Sequence, residues 1–170
     1  MNVVNSHRYN FKIRHSLSFN GTNQKLAISN LNYYSDVVKG SASKFTFMLV
    51  FRKLSNGSQK VVISSWGFTP ATNQVLMVGW DNSNKLFMGI RNSSGDYGSV
   101  NGLTAITDST QWNIAFFSFD YSQSLGNRGK IFLNGLDDTD TDTLDSDVQI
   151  LTRDWEIGRN TNYSYAPIEL

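Results

Sequence analysis

The chain has 170 residues, of which 39% are hydrophobic and 13% aromatic, and a formal net charge of +1. That length suits one domain with a sizeable core, and the scattered, balanced charge argues against a nucleic-acid-binding face. Cysteine is absent, which excludes disulfides, a thiol nucleophile and a thiolate metal site.

Taken in chain order, the sequence reads as strands. Glutamate occurs only at 156 and 169, while Ser, Asn, Thr, Gly and aromatic residues dominate, so helix formers are scarce. Strands are expected at Tyr9–Arg14, Ser16–Phe19, Lys25–Ile28, Lys44–Lys53, Lys60–Trp66, Gln74–Trp80, Lys85–Arg91, Trp112–Asp120, Lys130–Asn134 and Trp155–Gly158. In 44–53, Phe45, Phe47, Leu49 and Phe51 share one face and form core, while Thr46, Met48, Val50 and Arg52 share the other. Stretches 30–43 and 121–128 read as loops, and 137–147 as a loop or a polar edge strand. Asn-Gly pairs at Asn20, Asn56, Asn101 and Asn134 punctuate the apolar runs as turn signals. The class is all-β, a sandwich or barrel.

Several segments resemble the laminin G-like, concanavalin A-like lectin/glucanase sandwich. Trp112–Asp120 followed by Gly129-Lys-Ile-Phe-Leu-Asn-Gly135 is similar to a characteristic hairpin of that family. Ser16–Ile28, Phe45–Arg52, Leu86–Arg91 and Trp155–Asn160 are similar to further family segments, in the same order. The resemblance implies an antiparallel two-sheet jelly roll over residues 16–170, with 1–15 as an N-terminal extension or extra strand. It also implies a final strand beside the opening one, yet the chain stops at Ala166–Leu170, about where that strand would begin. Three readings follow: an incomplete sandwich, a gap filled by Tyr9–Arg14, or a strand donated by another chain.

Glucanases of this sandwich class need paired carboxylates on one strand, and no such motif is present, so the chain reads as no enzyme. Glu156 reads as an outward-facing strand residue. His7 and His15 lie outside any hydrolase or zinc motif. The acidic stretch contains Asp138, Asp140 and Asp142 at alternate positions. These could begin a calcium shell or form a solvated charge stripe on an edge strand. No cofactor is required, and calcium is the one the sequence leaves open.

A saccharide site needs an aromatic platform beside polar side chains. Trp66, Trp80 with Asp81, Tyr97, and Tyr163 with Asn160 fall near expected strand ends or in loops. Met48, Val50, Ile114, Phe116 and Phe132 fall on outward positions of otherwise alternating strands. An apolar outer face implies cover by the chain itself or by a protein partner, including a second copy.

These features favour a non-catalytic carbohydrate- or surface-ligand-binding module of lectin type. The alternative is an assembly or adhesion subunit, for example of a virus particle, using the sandwich as a protein interface. A glucanase-like hydrolase is a minor third. The first residues lack the apolar core of a signal peptide, and no run approaches the ~18 apolar residues of a membrane span. An extracellular, cell-surface or virion-associated setting is expected, without nucleic acid or membrane insertion.

Overall fold

The computed structural model describes residues 16–28, 44–65, 76–91, 97–144, 155–158 and 166–170. Within these, every element is a strand: β1 (Ser18–Asn20), β2 (Leu26–Ile28), β3 (Lys44–Lys53), β4 (Lys60–Ser64), β5 (Leu76–Trp80), β6 (Lys85–Arg91), β7 (Tyr97–Ala105), β8 (Asn113–Asp120), β9 (Gly129–Leu133), β10 (Leu136–Asp137), β11 (Thr139–Asp142), β12 (Trp155–Ile157) and β13 (Pro167–Glu169). They form two antiparallel sheets, six-stranded β1-β13-β3-β8-β9-β10 and seven-stranded β11-β7-β6-β5-β4-β12-β2. The protein is an all-β, concanavalin A-like jelly-roll sandwich. No helix among the described residues is long and apolar enough to cross a membrane.

The core lies between the sheets and follows strand alternation. From the six-stranded sheet, Phe45, Leu49, Phe51, Ala115, Phe117, Phe119, Ile131 and Leu133 are buried; from the other, Val62, Leu76, Val78, Trp80, Leu86, Met88, Ile90 and Val100. Burying one such large apolar side chain contributes about 1.5–3 kcal/mol. β3 and β8 carry the longest pairing, from Lys44↔Asp120 to Phe51↔Asn113. Asn134 and Gly135 join β9 to β10 with φ of 52° and 88°, the doubly positive φ of a type I′ turn.

Two expectations need correction. First, residues 167–169 occupy the slot between β1 and β3, with Phe19↔Ile168 on one side and Ile168↔Lys53 on the other. The backbone groups there are therefore paired, and the ladder is not open at that point. The expected strand Tyr9–Arg14 lies outside the described residues. Second, Asn101-Gly102 does not turn the chain but sits inside β7. Glycine is needed there because a Cβ at 102 would stand 2.7 Å from Asp138 Oδ2. The stretch 137–142, read as a loop or a polar edge strand, is edge strand: Asp137 pairs with β9 at the edge of one sheet, and β11 pairs with β7 at the edge of the other.

Lys53 extends the inward face of β3 and is fully buried. Its Nζ donates to Asn84 Oδ1 at 2.9 Å and to the Ile106 carbonyl at 2.8 Å, and lies 4.9 Å from the centre of the Trp80 ring. Burial pulls its pKa down to about 8, against the opposing field of Asp81. The ammonium ties β3 to the turns after β5 and β7 at one end of the sandwich.

Candidate functional site

The side of the seven-stranded sheet facing away from the core has two halves. Register places Val61, Gly79, Phe87, Asn101 and Thr141 in one cross-strand row. Glu156, Ser64, Met77, Gly89 and Ser99 form the next. On the β4–β6 side, Val61, Met77 and Phe87 are buried in a cluster separate from the main core. On the β6–β7–β11 side the sheet is open.

Tyr97 dominates the open half and is 47% exposed. Its ring is seated over Gly89, where a Cβ would stand 2.5 Å from the phenol oxygen. A side chain at position 89 would lift the ring, so glycine lets the aromatic face lie along the sheet. Beside it, Asn101 Nδ2 donates to Ser99 Oγ at 3.2 Å and Thr141 Oγ1 at 3.1 Å. Thr143 continues the hydroxyl row, its Oγ1 accepting from Ser99 N at 3.0 Å. An aromatic platform next to fixed amide and hydroxyl groups can pack a ligand's C–H face and bond its hydroxyls.

Of the aromatic candidates read from the sequence, Tyr97 is the one the described residues place on this open half; Gly89, Ser99, Asn101 and Thr141 beside it were not among the candidates. Only β6, matched in full by the expected Lys85–Arg91, hinted at where its partner strand would lie. Trp66, Asn160 and Tyr163 lie outside the described residues.

Trp80 is not a surface platform. It is fully buried because it shares the inward alternation of Leu76 and Val78 on β5. Asp81 is committed to the following turn, where its Oδ1 accepts from the Ser83 and Lys85 amides at 2.8 and 2.9 Å.

The acidic triplet does not converge. Asp138 is buried at the crossover between sheets: its amide donates to the Ile131 carbonyl, its carbonyl accepts from Leu103, and Oδ1 accepts from Thr104 N. The register shifts between Thr139 and Thr141, which breaks the alternation that would align the three side chains. Asp142 accepts from the Gly129 and Leu144 amides, and Asp140 is exposed. Among the described residues no group of three His, Asp or Glu side chains could hold a metal ion.

Glu156 points outward from its sheet, yet it is buried and ion-paired with Lys25. Glu169 belongs to the other sheet, where Ser16 and Arg52 hold it and keep its carboxyl below the usual range, the serine bond being the larger cause.

The five outward apolar residues do come together, on the outer face of the six-stranded sheet. Met48 pairs with Phe116, Phe116 with Phe132, and Val50 with Ile114. Met48 is 60% and Ile114 44% exposed, while Val50, Phe116 and Phe132 are half-buried. At one end, the Arg52 guanidinium lies 5.7 Å from the centre of the Trp112 ring.

No family model and no curated relative matches this sequence. Solved structures do resemble it in fold. The CBM40 of Ruminococcus gnavus IT-sialidase, in a complex with α2,3-sialyllactose, superposes with a TM-score of 0.64 at 12% identity, covering 92% of this chain and 88% of that one. The binding domain of botulinum neurotoxin serotype G gives 0.57 at 13% identity, over 92% of this chain and 40% of that chain. A heptameric SAP-like pentraxin from Limulus polyphemus gives 0.55 at 13% identity, over 91% and 72%. At these identities the likeness establishes the sandwich fold, shared by chains that differ in function.

Proposed function

We propose that this chain is a non-catalytic, lectin-type carbohydrate-binding module whose ligand rests on Tyr97. The observation that carries this reading is the half-exposed ring seated on Gly89, beside Ser99, Asn101 and Thr141. The fold likeness to a module solved with sialyllactose supports it. The glutamates support the non-catalytic part: Glu156 and Glu169 belong to different sheets, and each is already ion-paired. A glycosidase pair of the usual kind faces one scissile bond from about 5–9.5 Å apart.

The test is a glycan array followed by calorimetric titration of whichever glycan binds. Tyr97→Ala lowers the affinity by about tenfold or more, as loss of a stacked aromatic anchor does. The melting temperature changes little, because the ring is half in solvent. Unchanged affinity in that variant removes Tyr97 from the site.

A second reading is favoured by the exposed apolar face around Met48 and Ile114: an assembly or adhesion subunit that docks a protein partner or a second copy there. Sedimentation of the protein over a wide concentration range tests self-association. A monomer at every concentration rejects the second copy.

A further inference from the structure

Tyr97, Ser99 and Asn101 follow one another on the outward side of β7, because Gly98 and Val100 between them are buried on the inward side. Register sets Asn101 beside Thr141, and Ser99 beside Gly89, over which the Tyr97 ring is seated. The ring and the Asn101 amide therefore occupy neighbouring rows, about 7 Å apart along the strand, a distance that one sugar ring with its hydroxyls spans.

The hydrogen bonds inside this cluster leave a defined remainder. Asn101 Nδ2 directs its two protons to Ser99 Oγ and Thr141 Oγ1. Among the described residues its Oδ1 accepts nothing, so the side-chain carbonyl is open to a donor. The Ser99 and Thr141 oxygens receive the amide protons, which leaves their own O–H groups to donate. Thr141 is exposed and Ser99 half-buried, so Thr141 is the donor within easier reach. The Thr143 hydroxyl is committed instead to the Ser99 backbone, accepting from its N at 3.0 Å and donating to its carbonyl at 3.1 Å. A ligand therefore meets one fixed acceptor and, next to it, a hydroxyl donor, with an aromatic face alongside. Turning the Asn101 amide over exchanges the two roles but keeps the donor and acceptor adjacent.

We propose that this cluster reads two adjacent free hydroxyls of one sugar residue: one donates to Asn101 Oδ1, and its neighbour accepts from the Thr141 hydroxyl. A vicinal pair supplies a donor and an acceptor on neighbouring oxygens, as the cluster requires, while the C–H face of the same sugar packs on Tyr97. The ligand class is thus a saccharide with an unsubstituted vicinal diol at the residue that is bound, and a linkage or substituent on either hydroxyl excludes that residue. Asn101 is the specificity-determining side chain. This inference rests on the saccharide-binding reading and adds the chemical class of the ligand.

The experiment takes the glycan that binds best to the full chain and titrates it calorimetrically beside its deoxy analogues, each lacking one hydroxyl. The expected result is that loss of either member of one adjacent pair lowers the affinity several-fold, up to about tenfold, the strength of a single hydrogen bond. Loss of any other hydroxyl changes it little. In Asn101→Ala, removing the donating hydroxyl costs nothing further; in Thr141→Val, removing its neighbour costs nothing further. Such non-additivity marks direct contact, since a residue acting only on the fold would weaken every analogue alike. Melting curves establish that each variant is folded, and the analogue series on the unaltered protein stands if either is not. Losses confined to hydroxyls that are not adjacent, no loss with any analogue, or full additivity in both folded variants overturns the diol inference while leaving saccharide binding intact. Binding of no glycan at all overturns the underlying reading as well.

Discussion

The two sheets turn unlike outer faces away from the same core. The six-stranded sheet presents apolar side chains, with Met48 and Ile114 in the open. The seven-stranded sheet buries Val61, Met77 and Phe87 in one half of its outer side, while β7 in the other half carries Tyr97, Ser99 and Asn101 together with an exposed Leu103. Alternation decides which side of a strand a residue takes. Whether that side is wet depends on what lies above it, and local sequence does not report that.

The largest expected effect comes from comparing two outward phenylalanines. Phe87→Ala empties a buried site and costs about 3–5 kcal/mol, whereas Phe132→Ala, half in solvent on the other sheet, costs about 1 kcal/mol. Chemical denaturation of the two variants measures both. Equal costs would erase the distinction between the two faces.

Next is the buried ammonium between the sheets. In the folded chain Lys53 releases its proton near pH 8, against 10.5 for an ordinary lysine. Burial therefore penalises its charged form, and that penalty is present in full below about pH 8. Between pH 8 and 10.5 the unfolded chain binds more protons, so this residue makes stability rise with pH across that window. Melting curves of the protein and of Lys53→Met, taken from pH 7 to 10, should converge or cross in that direction. Parallel curves would mean that Lys53 keeps an ordinary pKa.

Gly89→Ala separates seating from stability. The added Cβ meets the far end of the Tyr97 side chain, which can swing away, so stability changes by no more than about 1 kcal/mol. The platform tilts, and glycan affinity falls several-fold by titration. The smallest effect is expected at Met48→Ser. This exposed position shifts stability by no more than about 0.5 kcal/mol, while any self-association through the apolar face weakens by sedimentation.

Much of the fold was legible from residue pattern. Lys44–Lys53 and Lys85–Arg91 form over their full expected lengths because their alternating large side chains have one way to reach the core. β7 was not legible. Gly98, Ser99, Asn101 and Gly102 read as turn formers, yet the two glycines answer to close packing, for a Cβ at 98 would stand 2.5 Å from the Thr143 carbonyl. That tolerance is set by Asp138, Thr143 and Leu144, far along the chain, so no local window reveals it. Of the proposed site, the residue pattern singled out only Tyr97. Trp80 resembled a rim residue by its place at a strand end, but alternation with Leu76 and Val78 carries it inside. The aspartates looked aligned until the register shift in β11 separated them.

Backbone amide NMR during glycan titration tests most directly whether the ligand meets the open half of the seven-stranded sheet. Shifts are expected to concentrate at Gly89, Tyr97, Ser99, Asn101 and Thr141, with the outer face of the six-stranded sheet unmoved. Shifts concentrated around Met48, Ile114 and Phe116, with Tyr97 and Asn101 unmoved, would contradict it.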